Sequence, residues 1–311
     1  TYAYYVNGER GFGNYPNNAQ KLVEDAVDAA DSYVNFADYD NDNDGYVDAL
    51  FVVHAGIGFE SSGDPNDIHS HAWGINDRIL DGVIINRYSM EPELQYIYGE
   101  MVHMAVFGHE FGHVLGLPDL YDTDYSSRGL GEWSIMASGS WINEGNTPAH
   151  FDAWCKYKLG WLNPVVLRND SLNVQINPVI NNNESYILWT EGLADDEYFL
   201  IENRQNQGFD SYLPGHGLMV YHVDESMEGN TDDWHPLVML EQADGLFDLQ
   251  NVANNGDSKD PFPGTDQITA FTNSGSPNSN TYNGDDSFVR ILNISETNSV
   301  ITADLIVNAD I

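Results

Sequence analysis

Residues 109–119 read His109-Glu110-Phe111-Gly112-His113-Val114-Leu115-Gly116-Leu117-Pro118-Asp119. Two histidines at i and i+4 lie on one face of a helix, one turn apart, so their imidazoles can converge on one metal ion. Glu110 follows the first of them and projects about 100° further round the helix. That places a carboxylate beside the metal, where it can take a proton from a bound water. Val102, Ala105, Val106, Phe107, Phe111, Val114 and Leu115 supply apolar surface on several sides, the pattern of a buried helix. The spacing predicts a start near Tyr98–Glu100 and a stop at Gly116, where glycine accepts a left-handed turn. Such a turn would swing Asp119 back towards the two histidines.

Outward from this stretch, composition narrows the class. The chain has 311 residues, 41% of them hydrophobic, which is ample for a buried core and suggests two lobes. Its net charge is −38, from 11 basic and 49 acidic side chains. Such a chain repels nucleic acid and anionic membranes, and suits cation binding, high solubility or a salty environment. Cys155 is the single cysteine, so no disulfide forms within the chain. No apolar run is long enough to span a bilayer. The first residues, Thr1-Tyr2-Ala3-Tyr4-Tyr5, do not read as a signal peptide, and a mature fragment without its targeting and pro-segments is expected.

Before the motif, residues 1–16 read as loop and residues 18–37 as an amphipathic helix. Asp40, Asp42, Asp44, Gly45 and Asp48, with the Tyr46 carbonyl, match positions 1, 3, 5, 6, 9 and 7 of a calcium loop. Position 12 is Phe51, not a bidentate Glu, so a structural Ca²⁺ is expected rather than a sensor. Residues 49–53 then read as a buried strand, and 54–82 as mostly loop, with His69 and His71 structural or solvated. A strand at 83–88 ends at Pro92, which cannot donate to a ladder. After the motif come a long loop containing Met136 and a helix over 148–160, with Cys155 a small core residue. Beyond Pro164 short apolar runs alternate with Asn, Gly, Asp and Pro. Strands are expected at 173–177, 185–190, 197–203, 217–223, 236–241, 288–294 and 299–307. Asp257, Asp260, Asp285 and Asp286 are available for another cation. The fold class is therefore α/β (α+β): a catalytic lobe over 1–164, with a mixed sheet and the motif helix, then a β-rich, sandwich or jelly-roll-like lobe over 165–311.

Four stretches together resemble one family: H-E-F-G-H-V-L-G-L-P-D-L-Y-D at 109–122, W-S-I-M-A-S-G-S-W at 133–141, E-Y-F-L-I-E-N-R-Q at 197–205 and L-P-G-H-G-L-M-V-Y-H-V-D at 213–224. They are similar to the immune inhibitor A (M6) family of secreted bacterial metalloproteases. The resemblance implies an extracellular zinc endopeptidase with calcium sites, made as a zymogen whose inhibitory pro-segment is absent from this chain. The helix, glycine turn and Met136 also resemble the wider metzincin group, whose methionine turn underlies the metal. In that group the third ligand is often His; here Asp119 holds the position.

On this reading Zn²⁺ is held by His109, His113 and Asp119, with Asp122 the rival third ligand and Glu132 a weaker one. Three protein ligands leave a position for water, as catalytic sites do. Glu110 is the general base. Tyr121, Tyr157 and His222 are candidates to stabilise the transition-state oxyanion. Glu202 and Arg204, two apart on a strand, read as an ion pair. A polypeptide substrate would lie extended against an edge strand, with 83–88 expected as that edge. The alternative is a catalytically inactive, calcium-dependent binding or adhesion module. The intact Glu110 argues against it, because a binding protein needs no base between two ligands.

Overall fold

The computed structural model describes residues 1–96, 99–193 and 195–308. By packing the chain divides into two units, Thr1–Gly116 and Leu117–Ile311. The compositional change at 164/165 lies inside the second.

The first unit begins with a short helix, α1 (Tyr2–Val6), where loop was expected, followed by α2 (Ala19–Ala30). Asn18 caps α2 by accepting from the Lys21 amide. The predicted helix to residue 37 stops early, and Tyr33 is 90% exposed beyond its end. Next come β1 (Phe51–Ile57), α3 (Phe59–Ser62), β2 (His71–Leu80), β3 (Val83–Leu94) and α4 (Met104–Val114). The three strands form one sheet in the order β1-β3-β2, with β1 parallel and β2 antiparallel to β3.

Four expectations are corrected here. Residues 83–88 are not an edge; they lie in the central strand, and β2 is an edge. Residues 49–53 are not a buried strand, since β1 is the other edge and exposes Phe51 and Val53. Residues 71–80, read as loop, are β2. Pro92 does not end β3, because the β2 ladder stops at His71↔Met90 and the missing N–H faces no partner there.

The pleat assigns the two faces of this sheet. Val83, Ile85, Tyr88 and Met90 join Val23 and Val27 of α2 in one core. The opposite face carries Arg87, Ser89 and Glu91 at period two. There Phe51, paired with Ser89, meets Phe107 and Phe111 of α4. The expected helix start falls partly on Tyr98, outside the described residues; α4 itself begins at Met104.

The second unit opens with irregular chain and then α5 (Ala153–Lys158), shorter than the predicted 148–160 and capped by Asp152, which accepts from the Cys155 amide. Cys155 is buried. Seven predicted strands are present: β5 (Ser171–Ile176), β6 (Tyr186–Leu188), β7 (Glu197–Arg204), β8 (Gly217–Asp224), β9 (Val238–Leu240), β10 (Arg290–Thr297) and β11 (Val300–Ile306). An eighth, β4 (Val165–Leu167), precedes them. Five form the sheet β4-β6-β7-β8-β9, and three form β10-β11-β5. Along β7 and β8, Tyr198, Leu200, Met219 and Tyr221 face a core shared with Met136 and Trp154. Phe199, Ile201, Leu218 and Val220 face a second core shared with Ile301 and Leu305 of β11. Both faces are dry, which is why these strands read as near-continuous apolar runs.

Candidate metal centre

Helix α4 presents His109 and His113 one turn apart, their ring centroids 4.8 Å from each other and their planes at 88°. The helix closes with the Leu115 amide donating to the Phe111 carbonyl and the Gly116 amide to the His113 carbonyl. Gly116 has φ 98°, a conformation an L side chain resists. Along the continuous run 109–119, ligand atoms of His109, His113 and Asp119 all lie within 4.8 Å of one another. Two imidazoles and a carboxylate in such a group can hold one divalent ion.

Asp122 does not join that group. It is buried, and its carboxylate accepts from the amides of Asp124 and Ser127 and from the Ser126 hydroxyl. Although burial opposes it, these donors hold its pKa below the usual carboxylate range. Its structural work is to close the turn after Asp119. Burial raises the Glu132 pKa, and Glu132 is also outside the group.

Met136 is fully buried, and its carbonyl accepts from the Leu120 amide at 2.8 Å. The methionine segment is thus pinned to the residue next to Asp119. Ser134 ties the same turn to α5, donating to Asp152 at 2.6 Å and accepting from the Met136 amide.

Glu110 is 7% exposed on α4. Glu91 of β3 lies near enough for the two charges to interact. Glu91 is fully buried. Burial, ahead of any neighbouring charge, pushes its carboxyl up to about 8. Sequence reasoning missed this second carboxyl, because only the sheet register turns Glu91 towards α4.

Of the oxyanion candidates, Tyr121 stacks on Tyr125, and Tyr157 is partly exposed on α5. His222 is buried on β8, with Nδ1 3.2 Å from Glu241 and Nε2 2.9 Å from Glu197. Burial alone would lower its pKa, but the two carboxylates hold it above the ordinary value. Glu202 and Arg204, both fully buried, do pair, at 3.3 Å, within a larger network. There Arg204 also binds Asp210 at 2.6 Å, and Lys156 binds Glu202 at 2.6 Å.

The acidic loop forms a second group, in which oxygens of Asp40, Asp42 and Asp48 lie within 4.8 Å of one another. Asp44 is exposed, and its carboxylate accepts from the Tyr46 amide at 2.8 Å. Among the described residues Asp257, Asp260, Asp285 and Asp286 form no such group. Asp286 instead pairs with Arg290.

Residues 1–162 match the family model described as the immune inhibitor A peptidase M6 catalytic domain. Over 182 residues the chain is 36% identical to the pre-pro-metalloprotease PrtV of Vibrio cholerae, a match covering 50% of this chain and 20% of that protein. Over 279 residues it is 31% identical to immune inhibitor A of Bacillus thuringiensis subsp. alesti, covering 77% of this chain and 38% of that protein. The matches thus span well under half the length of these relatives.

Proposed function

Because the chain belongs to the immune inhibitor A family of M6 peptidases, we propose that it is a zinc-dependent endopeptidase cleaving extracellular polypeptides, with Glu110 as general base. The gathering of His109, His113 and Asp119 around one point carries this reading. Two imidazoles and one carboxylate suit zinc, and three protein ligands leave a coordination position open. Bound there, zinc supplies an acidified water and a polarised scissile carbonyl. Glu110 takes the water proton as the water oxygen bonds to the carbonyl carbon. It then gives that proton to the amine nitrogen as the carbon–nitrogen bond breaks. Tyr121 and Tyr157 remain the hydroxyl candidates for steadying the oxyanion, since both His222 nitrogens are committed to carboxylates. The edge strand β2 replaces 83–88 as the surface on which an extended substrate would pair.

Calcium in the acidic loop is the structural ion of this proposal, supported by the grouping of Asp40, Asp42 and Asp48; Asp44 and the Tyr46 carbonyl complete the proposed ligand set. Secretion and an inhibitory pro-segment are proposed from the name of the Vibrio relative, a pre-pro-metalloprotease. No helix among the described residues is long and apolar enough to cross a membrane.

The test is hydrolysis of casein and of internally quenched peptides. Removing zinc with a chelator should abolish turnover, and restoring zinc should return it. Glu110→Gln should keep bound zinc and lower kcat by about 10²-fold or more. Asp119→Asn should lower zinc affinity, whereas Asp122→Asn should leave it near wild type. Full activity of Glu110→Gln would remove the general base from the mechanism. Zinc bound without turnover in the wild-type chain would favour the binding module.

A further inference from the structure

Beside the metal-binding helix, wholly within residues 1–116, lies a cleft of about 400 Å³. Its walls are Trp73 and Gly74 of the edge strand β2, Arg87 and Tyr88 of β3, and His113 and Val114 at the end of α4. One wall is therefore a proposed metal ligand, so a group held in the cleft sits beside the reacting centre. None of its lining residues is acidic.

Arg87 stands apart from the other basic side chains of residues 1–116. The 311 residues contain 11 Lys and Arg against 49 Asp and Glu, so a cation has carboxylates to choose from. The other three basic side chains of residues 1–116 are engaged: Lys21 with Asp25, Arg78 with Glu24 and Asp28, and Arg10 over the Phe59 ring. Among the described residues Arg87 makes no ion pair, and it is exposed. Register explains its aim. Arg87 pairs directly with Gly74, and cross-strand partners share a face, so glycine leaves the space above the guanidinium unfilled. Even a methyl at Gly74 would come within 3.3 Å of the Asn86 carbonyl.

We infer that Arg87 is a specificity residue that takes a carboxylate of the bound polypeptide, in a cleft opening on the metal centre. The inference rests on the peptidase reading above for its substrate class, and on the cleft alone for its charge preference. A guanidinium offers a planar fork matched to a carboxylate. In a chain of net charge −38 an acidic substrate is repelled at long range, so an Arg without a carboxylate partner in the cleft beside His113 marks where its carboxylate can settle. The carboxylate has two sources, an Asp or Glu side chain or a free C-terminus.

The experiment measures binding of labelled peptides to the zinc-loaded Glu110→Gln chain. Each peptide carries Glu or its isostere Gln at one position, and each is made as the free acid and as the C-terminal amide. The expected result is about tenfold tighter binding of one carboxylate-bearing form than of its neutral twin. Glu against Gln identifies a side-chain carboxylate, and acid against amide a terminal one. Arg87→Gln should erase the preference, and Arg87→Glu should reverse it towards a Lys peptide, with unfolding transitions confirming that both variants fold. Equal binding of all four forms, or a preference that survives Arg87→Glu, overturns the inference. A preference present in a wild-type chain that cleaves no peptide upholds Arg87 and refutes the peptidase reading.

Discussion

His71 keeps both ring nitrogens occupied. Nδ1 lies 2.7 Å from the His69 carbonyl and Nε2 2.8 Å from the Tyr88 hydroxyl. A carbonyl can only accept, so Nδ1 carries the proton and Nε2 accepts from Tyr88, which describes a neutral imidazole. Burial pushes its pKa down to about 4. Between about 6.5 and about 4 the unfolded chain therefore binds a proton that the folded chain refuses, and stability falls as pH drops through that window. The full loss is about 3 kcal/mol. In metal-free protein, urea unfolding of His71→Gln should run well below wild type at pH 7, with the gap narrowing by about 2 kcal/mol near pH 4.5. A gap constant with pH would refute the assignment. At this scale the sequence shows whatever lies along one helix or one turn. His109, Glu110, His113 and Asp119 are such residues, because helical spacing and one glycine place them. The tautomer of His71, the buried Glu91 and the aim of Arg87 depend on which strand lies opposite, and no local pattern carries that.

Among the elements, the acidic loop is the clearest case of a local code with distant consequences. Gly45, at φ 89°, makes the sharp turn, and the Asp48 amide closes the loop on the Tyr39 carbonyl. The loop then grips the start of β3: the Ile84 amide donates to Gly45 and the Val47 amide to the Ile84 carbonyl. An ion drawing Asp40, Asp42 and Asp48 together would thus brace the central strand from which Arg87 and Glu91 project. Calcium added to chelated protein should raise the melting temperature, by an amount equivalent to about 2.7 kcal/mol at a hundred times Kd, and Asp42→Asn should lose most of that gain. The same gain in Asp42→Asn would place the ion elsewhere. Strand β2 does carry a local signal in the sequence. Asp81-Gly82, with φ 53° and 91°, is a two-residue hairpin turn of the kind that joins antiparallel strands. The polar run Asn76-Asp77-Arg78 and a register shift between Gly74 and Arg78 broke the alternation that would have revealed the strand beside it. The seven strands beyond Pro164 were legible because each is a short apolar run between turn residues.

For the whole molecule, composition and packing divide the chain at different points for a physical reason. The change after Pro164 marks where strands become dense. Packing divides at Gly116 because the irregular segment after it buries Leu120, Leu130, Trp133 and Met136 in the core that also holds Tyr198, Leu200 and Tyr221. Net charge is the other property that belongs to the molecule rather than to any part. Lys21, Arg78, Lys156, Lys158, Arg204, Lys259 and Arg290 already pair with carboxylates. With 49 acidic groups against 11 basic ones, most of the negative charge has no cation to offset it, and folding brings that charge closer together than the unfolded chain does. Salt acts on two opposed effects here. It weakens the exposed ion pairs, each worth about 0.2 to 1 kcal/mol, and it screens the repulsion of the whole surplus. With a charge of −38 the repulsion should win. In chelated protein the melting temperature should climb steadily as ionic strength rises from about 0.01 M, where the Debye length is about 30 Å, to about 1 M, where it is about 3 Å. Sodium and potassium chloride should act alike, since screening depends on ionic strength and not on ion identity. A melting temperature that falls with salt would mean that the few ion pairs outweigh the surplus. A rise with sodium alone would point to a bound ion instead of a screened field.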